Sequence, residues 1–498
     1  MNQGIKFYKT YDVKKISQCH ESIGPKTLTP NSRLDRWSGI NNAISDWLIN
    51  DADDEVAIKV AEENFQFYDP LQRKIMSDLF ERFRTLVPKP LPQVNIDFFR
   101  QEVIKEIDGE QKGMYTSFQY QLQDEDNTEY IKLKAGVSDL EDIDRAIVAD
   151  TKLDGETFLT AQLIKDDFDE IKEPSNSKEI IENYFQIIRE FEENRKKATP
   201  GLHCYMCDRP SRCGQYPVVD GQEPKSNFRG ILISKSNLLN LETCERWTSW
   251  RAQYAIPKDV ENESFEAELG QKFHSYSQKM LEKNKNIFGD KEIERLKEML
   301  VDEEEKFSIQ ILKKYEELIN ALDNEVEDQK ELEIKLSEYG LGFSIVKDGI
   351  VSNSKMELRD DKVAVTFMGQ ADLVGRYKGK GLVIELKTGQ ESNDDLTEAE
   401  LYALGAKLLL KEDEVYVFHI YTNKDGGKLK KRKFGESEFD SIIKKFEDKA
   451  QRVANWNPND SLSPSFNVGD WCNNCDYQTT CPESVSYTHL TLPTKVTV

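Results

Sequence analysis

Long apolar runs are missing from this chain: no stretch approaches the ~18 residues that a membrane-spanning helix requires. The opening MNQGIKFYKTYDVKK has no apolar core of the signal-peptide kind. The expectation is a soluble, cytoplasmic protein with no membrane partner. No GxxxxGK[ST] stretch occurs either, which excludes a recognisable P-loop ATPase within these residues. Cations are outnumbered, with 68 Lys and Arg against 91 Asp and Glu and a net charge of −23. Such a balance disfavours diffuse attraction to nucleic acid or anionic lipid, so nucleic-acid binding has to work through local basic patches and metal ions. Histidine is scarce as well, and none falls between His20 and His203.

What is present is enough for two domains: 498 residues, 38% hydrophobic and 32% charged. The most informative stretch is 369–389, GQADLVGRYKGKGLVIELKTG, where two apolar-rich arms flank the polar, glycine-containing turn 377–381 and read as a β-hairpin. Alternation in the second arm puts Glu385 and Lys387 on one face and Leu382, Ile384 and Leu386 on the other. Asp372 in the first arm lies across from them. Two carboxylates and a lysine on one sheet surface suit a hard, oxygen-liganded Mg²⁺ and the water it activates for phosphodiester hydrolysis. An exposed cross-strand salt bridge would use the same residues.

The eight cysteines form two sets of one pattern, a lone cysteine followed much later by CxxCxxxxxC. Cys19 precedes Cys204, Cys207 and Cys213; Cys244 precedes Cys472, Cys475 and Cys481. In an intracellular chain such clusters hold a metal or an iron-sulfur centre more often than disulfides. Four thiolates per set suit either Zn²⁺ or a 4Fe-4S cluster, and spacing alone does not choose.

In order along the chain, Cys244 in SNLLNLETCERW, the GxxxH of 270–274, the GxxDL of 369–373, the ExK of 385–387 and the terminal CxxCxxxxxC resemble the RecB-type branch of the PD-(D/E)XK nucleases. More narrowly, they resemble its iron-sulfur members: the AddB nuclease domain, the CRISPR-associated spacer-acquisition exonuclease and the nuclease part of the Okazaki-fragment nuclease-helicase. The resemblance covers roughly residues 228–484. It implies an α/β, restriction-endonuclease-like fold, a central mixed sheet flanked by helices, with a 4Fe-4S cluster on Cys244, Cys472, Cys475 and Cys481. It further implies Mg²⁺ or Mn²⁺ held by Asp372 and Glu385, helped by His274 and the Leu386 carbonyl, with Lys387 orienting or deprotonating the attacking water. Tyr402 occupies the tyrosine of the family's QxxxY motif, meeting a phosphate or positioning Lys387, while Glu398 stands where the family has glutamine. The implied function is exonucleolytic cleavage of DNA, single-stranded or with free ends. Repair, recombination, viral replication or CRISPR adaptation is the setting, and a helicase or integrase the protein partner. The alternative is a DNA-end-binding or scaffolding subunit whose metal centres are only structural.

The first half repeats the order of the second. YIKLKAG at 130–136 mirrors VIELKTG at 383–389, and each is followed by a helix, a strand, a long helix and a cysteine cluster. Lys132 stands where Glu385 stands, and Gln121 or a neighbour replaces Asp372. Residues 1–217 are therefore expected to be a degenerate nuclease-like domain whose own quartet still binds a cluster, or a separate zinc site. A polar linker follows at 218–227, then the active domain at 228–484. The basic run KLKKRKF at 428–434 suits a phosphate backbone or a solvated edge strand equally. Residues 485–498, which include VSYTHLTLPT and His489, look like a translated sequencing adapter and are set aside; the natural C-terminus is expected to be missing beyond about Ser484.

Overall fold

The structure is a computed structural model. It describes residues 5–23, 32–50, 52–87, 93–123, 127–136, 139–193, 200–207, 209, 211–219, 221–222, 224–225, 228–258, 264–283, 290–326, 331–352, 357–389, 391–392, 395–422 and 427–483. The adapter-like tail 485–498 lies outside the described residues, as do parts of the expected linker 218–227.

The first half runs β1 (Lys6–Lys9), α1 (Thr10–Gln18), α2 (Ser32–Ile49), α3 (Asp54–Phe65), α4 (Pro70–Leu86), β2 (Gln93–Ile107), β3 (Glu110–Gln123), β4 (Thr128–Lys134), α5 (Asp142–Thr151), β5 (Glu156–Gln162), β6 (Asp167–Glu170) and α6 (Ser177–Glu192). The second runs β7 (Arg229–Ser234), α7 (Lys235–Thr243), α8 (Glu245–Ala252), α9 (Phe265–Lys283), α10 (Asp290–Met299), α11 (Glu305–Glu325), β8 (Leu332–Ser352), β9 (Leu358–Tyr377), β10 (Lys380–Lys387), α12 (Asp395–Leu410), β11 (Val415–Tyr421), β12 (Lys428–Phe434) and α13 (Glu436–Ala454).

Each half builds one mixed sheet. The first has the order β1-β3-β4-β5-β6 with β2 also on β3; the second has β7-β9-β10-β11-β12 with β8 also on β9. Directions match pair by pair: β1/β3 and β7/β9 are parallel, β3/β4 and β9/β10 antiparallel, β4/β5 and β10/β11 parallel. Two α/β sheets flanked by helices, with one connectivity used twice, are what tandem restriction-endonuclease-like units look like.

Local chemistry explains the elements around the site. The β9–β10 hairpin closes through Lys378 and Gly379 at φ +52° and +74°, the two-residue, positive-φ turn whose twist matches paired strands. Strand β10 is buried along Gly381–Leu386, as a central strand covered on both faces must be. One face meets a core of α12, α13 and α7, including Phe343, Phe367, Tyr402 and Phe446; the other meets α9 and α11 through Phe273, Phe307 and Leu318. Helix α4 starts cleanly because the Asp69 side chain accepts from the amides of Leu71 and Gln72 and Pro70 supplies the first helical φ.

Strand β8 is one continuous 21-residue strand, bent by a register shift near Ile334. Strands β1 and β6, four residues each, are too short to carry a clear alternation. The two halves touch directly: Leu71 packs with Trp250, Tyr254 and Tyr477, and the Ser461 hydroxyl donates to Asp69 at 2.7 Å. Among the described residues no helix is long and apolar enough to cross a membrane.

Candidate metal centre in the second half

Asp372 is delivered by β9 and Glu385 by the neighbouring β10, both buried, at 6% and 3% exposure. One Asp372 oxygen accepts from the Leu386 amide at 2.5 Å, which fixes the carboxylate against the strand; the other lies 2.8 Å from His274 Nδ1. His274 comes from α9, where Gly270 one turn earlier leaves room for Thr388: a Cβ there would sit 3.3 Å from its hydroxyl. The structure thus brings His274 and Asp372 together as the sequence suggested.

A third ligand joins them that the sequence did not single out. His274, Glu338 and Asp372 each offer an atom within 4.8 Å of the others, and among the described residues this is the one group of His, Cys, Asp or Glu so placed. Glu338 sits in β8 at φ +48°, a left-handed conformation costly for a residue with a Cβ, and its carboxylate accepts from the Gln370 side chain. No sequence motif surrounds it. Only the pairing of β8 with β9, Tyr339 opposite Ala371, carries it to Asp372.

Glu385 stands apart from this trio. Lys235, the first residue of α7, reaches its Oε1 at 2.5 Å and lies 3.7 Å from Glu398. Lys387 is gripped by both oxygens of Glu398 at 2.7 Å each and stands 3.6 Å from Glu385. Glu398, the departure from the family's glutamine, is therefore the residue that fixes Lys387. Its own carboxylate is held well below the usual range: burial would raise it, but His419, with Nε2 3.5 Å away, and the two lysines outweigh that. Tyr402 requires a correction. It is fully buried, its hydroxyl donates to the Gln370 carbonyl at 2.6 Å, and its ring fills the space beside Gly369. It therefore meets no phosphate and does not position Lys387; it supports β9. A Cβ at Gly369 would approach the Tyr402 ring to 2.8 Å, so Gly369→Ala is expected to cost ~1–3 kcal/mol in chemical unfolding.

The electrostatics suit a divalent cation. Glu338, Asp372, Glu385 and Glu398 crowd Lys235, Lys387 and His274; once the carboxylates and the imidazole have lost their protons, four negative charges face two positive ones, an excess that one such ion would offset. Glu385 Oε2 is buried with no hydrogen-bond partner, an orphan that a metal would satisfy. Burial and then the Asp372 charge push Glu338 up to about 7; burial, with Asp372 and Glu398 adding, also raises Glu385. Burial alone would lower His274, but the Asp372 carboxylate raises it to about 9. Ligation requires all three without their protons, so Mn²⁺ affinity is expected to strengthen as pH rises from about 6 to about 9, with proton release on binding. Calorimetry in buffers of different ionisation heat checks this, and a pH-independent affinity would contradict it. The imidazole favours Mn²⁺ over Mg²⁺, which prefers oxygen alone.

The first half has lost this set. Leu133 N donates to Gln119 Oε1 at 2.7 Å, as Leu386 N does to Asp372, so the counterpart of Asp372 is Gln119 and not Gln121, which hydrogen-bonds Asn95 and Tyr130. Lys132 replaces Glu385 and pairs with Asp144 at 3.2 Å, while Thr10 holds the Lys235 position, nine residues before its cysteine in both copies, and donates to Asp144. One carboxylate beside a lysine leaves no charge excess for a cation.

Both cysteine quartets gather in space. Cys244, capping the end of α7, lines an enclosed cavity of about 30 Å³ with Cys472, Cys475 and Cys481. The other set repeats the backbone bonding: Cys207 N donates to Cys204 O and Cys213 N to Arg209 O, as Cys475 N does to Cys472 O and Cys481 N to Tyr477 O. Burial, with its sister cysteines adding, pushes Cys475 up to about 12 and Cys207 up to about 11; a bound metal would displace those protons.

The basic strand β12 is a sheet edge with many of its cations committed. Lys428 pairs with Glu391 at 2.7 Å, Lys430 with the same carboxylate, and Lys433 with Glu414 at 2.6 Å. It reads as a guarded edge rather than a phosphate track.

A family model, the PD-(D/E)XK nuclease superfamily, matches residues 232–482, the whole of the β7–β12 sheet with its helices and second quartet. Among solved structures, the one titled "Crystal structure of SSO0001" aligns at 14% identity and a TM-score of 0.21, covering 51% of this chain and 86% of that one; a likeness that loose carries no argument. No curated protein matches. Half of the chain fits the family model: the chain belongs to the PD-(D/E)XK nuclease superfamily.

Proposed function

We propose that the second half, residues 228–484, is a Mg²⁺- or Mn²⁺-dependent DNA exonuclease acting on single-stranded or free-ended DNA, and that residues 1–217 are a degenerate copy joined through 218–227. The observations that carry this are the His274–Glu338–Asp372 group and, on the strand paired with that of Asp372, the buried Glu385 whose Oε2 has no hydrogen-bond partner among the described residues. His274, Glu338, Asp372 and Glu385 would hold the cation, which supplies a Lewis acid and an acidified water. Lys387, locked by Glu398, presents a point charge to the attacking water and the developing phosphate charge. Lys235 offsets the carboxylate excess and keeps Glu385 in place. Because the fixed bidentate grip sets the position of Lys387, Glu398→Ala is expected to slow cleavage ~10–100-fold with little change in cation affinity, read from turnover and metal titration together.

A 4Fe-4S cluster on Cys244, Cys472, Cys475 and Cys481, which line one cavity, is the reading favoured by the resemblance to the iron-sulfur nucleases. Reduced thiolate ligation also fits a cytoplasmic protein, and a helicase or integrase partner fits an end-directed nuclease. A cleavage assay on the purified chain, with Mn²⁺, Mg²⁺ or chelator and with single-stranded, blunt and circular DNA, tests the proposal. End-dependent, metal-dependent loss of linear DNA supports it; DNA binding without cleavage under every cation would leave only a binding subunit.

A further inference from the structure

The segment carrying the first cysteine cluster does not stay with its own half. Its start donates structure to β8, with Gly340 N bonding Pro200 O at 3.0 Å. Its end does the same, with Val219 N bonding Ser344 O at 3.0 Å and Ser344 N bonding Pro217 O at 2.8 Å. Between these stitches Cys204, Cys213 and Tyr216 pack on Met368 and Leu232, and the Tyr216 hydroxyl lies 2.7 Å from the Met368 sulfur. Gly340 exists to allow this contact: a Cβ there would come within 2.8 Å of Gly201 N and 2.9 Å of Pro200 C. Tyr205, next to Cys204, packs against the same cluster. The residues the segment leans on, Gly340 and Met368, lie two and four positions from Glu338 and Asp372 in sequence.

At its other face the segment is tied to the N-terminal helix. Arg209 donates to the Glu21 and Ile23 carbonyls at 2.5 and 3.2 Å, just beyond Cys19, and the four thiols Cys19, Cys204, Cys207 and Cys213 lie within one another's field. We propose that this quartet holds a thiolate metal centre, iron-sulfur or zinc, that clamps residues 200–219 against the catalytic strands and makes cleavage in the second half depend on metal bound by the first. The dependence on cleavage rests on the nuclease reading above; the clamp does not.

The test uses the full chain, with Cys207→Ser to empty the first centre and Gly340→Val to wedge the segment off while leaving every cysteine. Iron and zinc content, amide hydrogen exchange and Mn²⁺-dependent cleavage are read together. Cys207→Ser is expected to lose one centre's worth of metal, speed exchange at Gly340 and Ser344 at least ~10-fold, and slow cleavage at least ~10-fold. Gly340→Val is expected to keep its metal yet show the same faster exchange at Ser344 and slower cleavage. Unchanged metal content in Cys207→Ser, or metal lost with Gly340 and Ser344 still protected, would overturn the clamp. If the wild-type chain cleaves nothing, the nuclease reading falls while the exchange measurements still decide the clamp. If Cys207→Ser does not fold, Gly340→Val decides: slow exchange and full cleavage there would refute the proposal.

Discussion

Replacing Glu385 by alanine is expected to lower divalent-metal-dependent cleavage by ~1000-fold or more, because it deletes a buried carboxylate, the proposed ligand, in a site where charge is worth far more than in water. Stability should move little, within about 2 kcal/mol: Lys235 loses a partner but keeps Glu398, and the carboxylate excess shrinks. Visible absorbance from the proposed cluster should persist, since the quartet at Cys244 lies at the far end of α7 from Lys235. Retained cleavage in Glu385→Ala would remove this residue from the mechanism. The matching change in the first half, Lys132→Ala, breaks the pair with Asp144 and the hydrogen bond to Thr116 and is expected to leave the chemistry intact.

Cys472→Ser is expected to have the largest effect on the fold. The second quartet joins the end of α7 to the 3-10 turn Asp470–Asn474, closing a long loop that includes the catalytic sheet. Loss of such a centre typically removes several kcal/mol or more, ~10 kcal/mol for structural zinc. Some fastening remains: Arg246 pairs with Glu483 at 2.6 Å and donates to Leu462 O, and Trp250 donates to Ser461 O. The variant should therefore be colourless, unfold at markedly lower temperature and cleave slowly, because α7 also carries Lys235. A colourless wild-type chain, or a variant as stable as the wild type, would contradict the iron-sulfur staple.

Parts of this were legible in the sequence for physical reasons. The 369–389 hairpin announced itself through apolar arms around a glycine turn, and its alternation placed Glu385 and Lys387 on one face, where Glu398 now meets both lysines. The duplicated order of motifs pointed to two sheets, and their strand orders agree. What was hidden depends on contacts distant in sequence. Glu338 has no motif, and its role follows from a strand register and a positive φ. Lys235 carried a faint signal, its nine-residue distance from Cys244 repeated by Thr10 and Cys19, but a lysine opening a helix looks like solvated charge. Tyr402 misled because a tyrosine on a helix beside the site can face either the substrate or the core, and the close approach of Gly369 decides for the core. Gln121 for Gln119 was a slip of one residue pair, and only the Leu133 amide bond resolves it.

The claim on which the rest stands is that His274, Glu338, Asp372 and Glu385 together hold one divalent cation. Anomalous diffraction from a crystal soaked in Mn²⁺ tests it most directly. The expected result is a peak bonded to Asp372 and Glu385 at ~2.0–2.6 Å, with His274 or Glu338 completing the set and Lys235 drawn back from Glu385 Oε1. A crystal saturated with Mn²⁺ that shows no peak there, with Lys235 still seated on Glu385, would contradict the account.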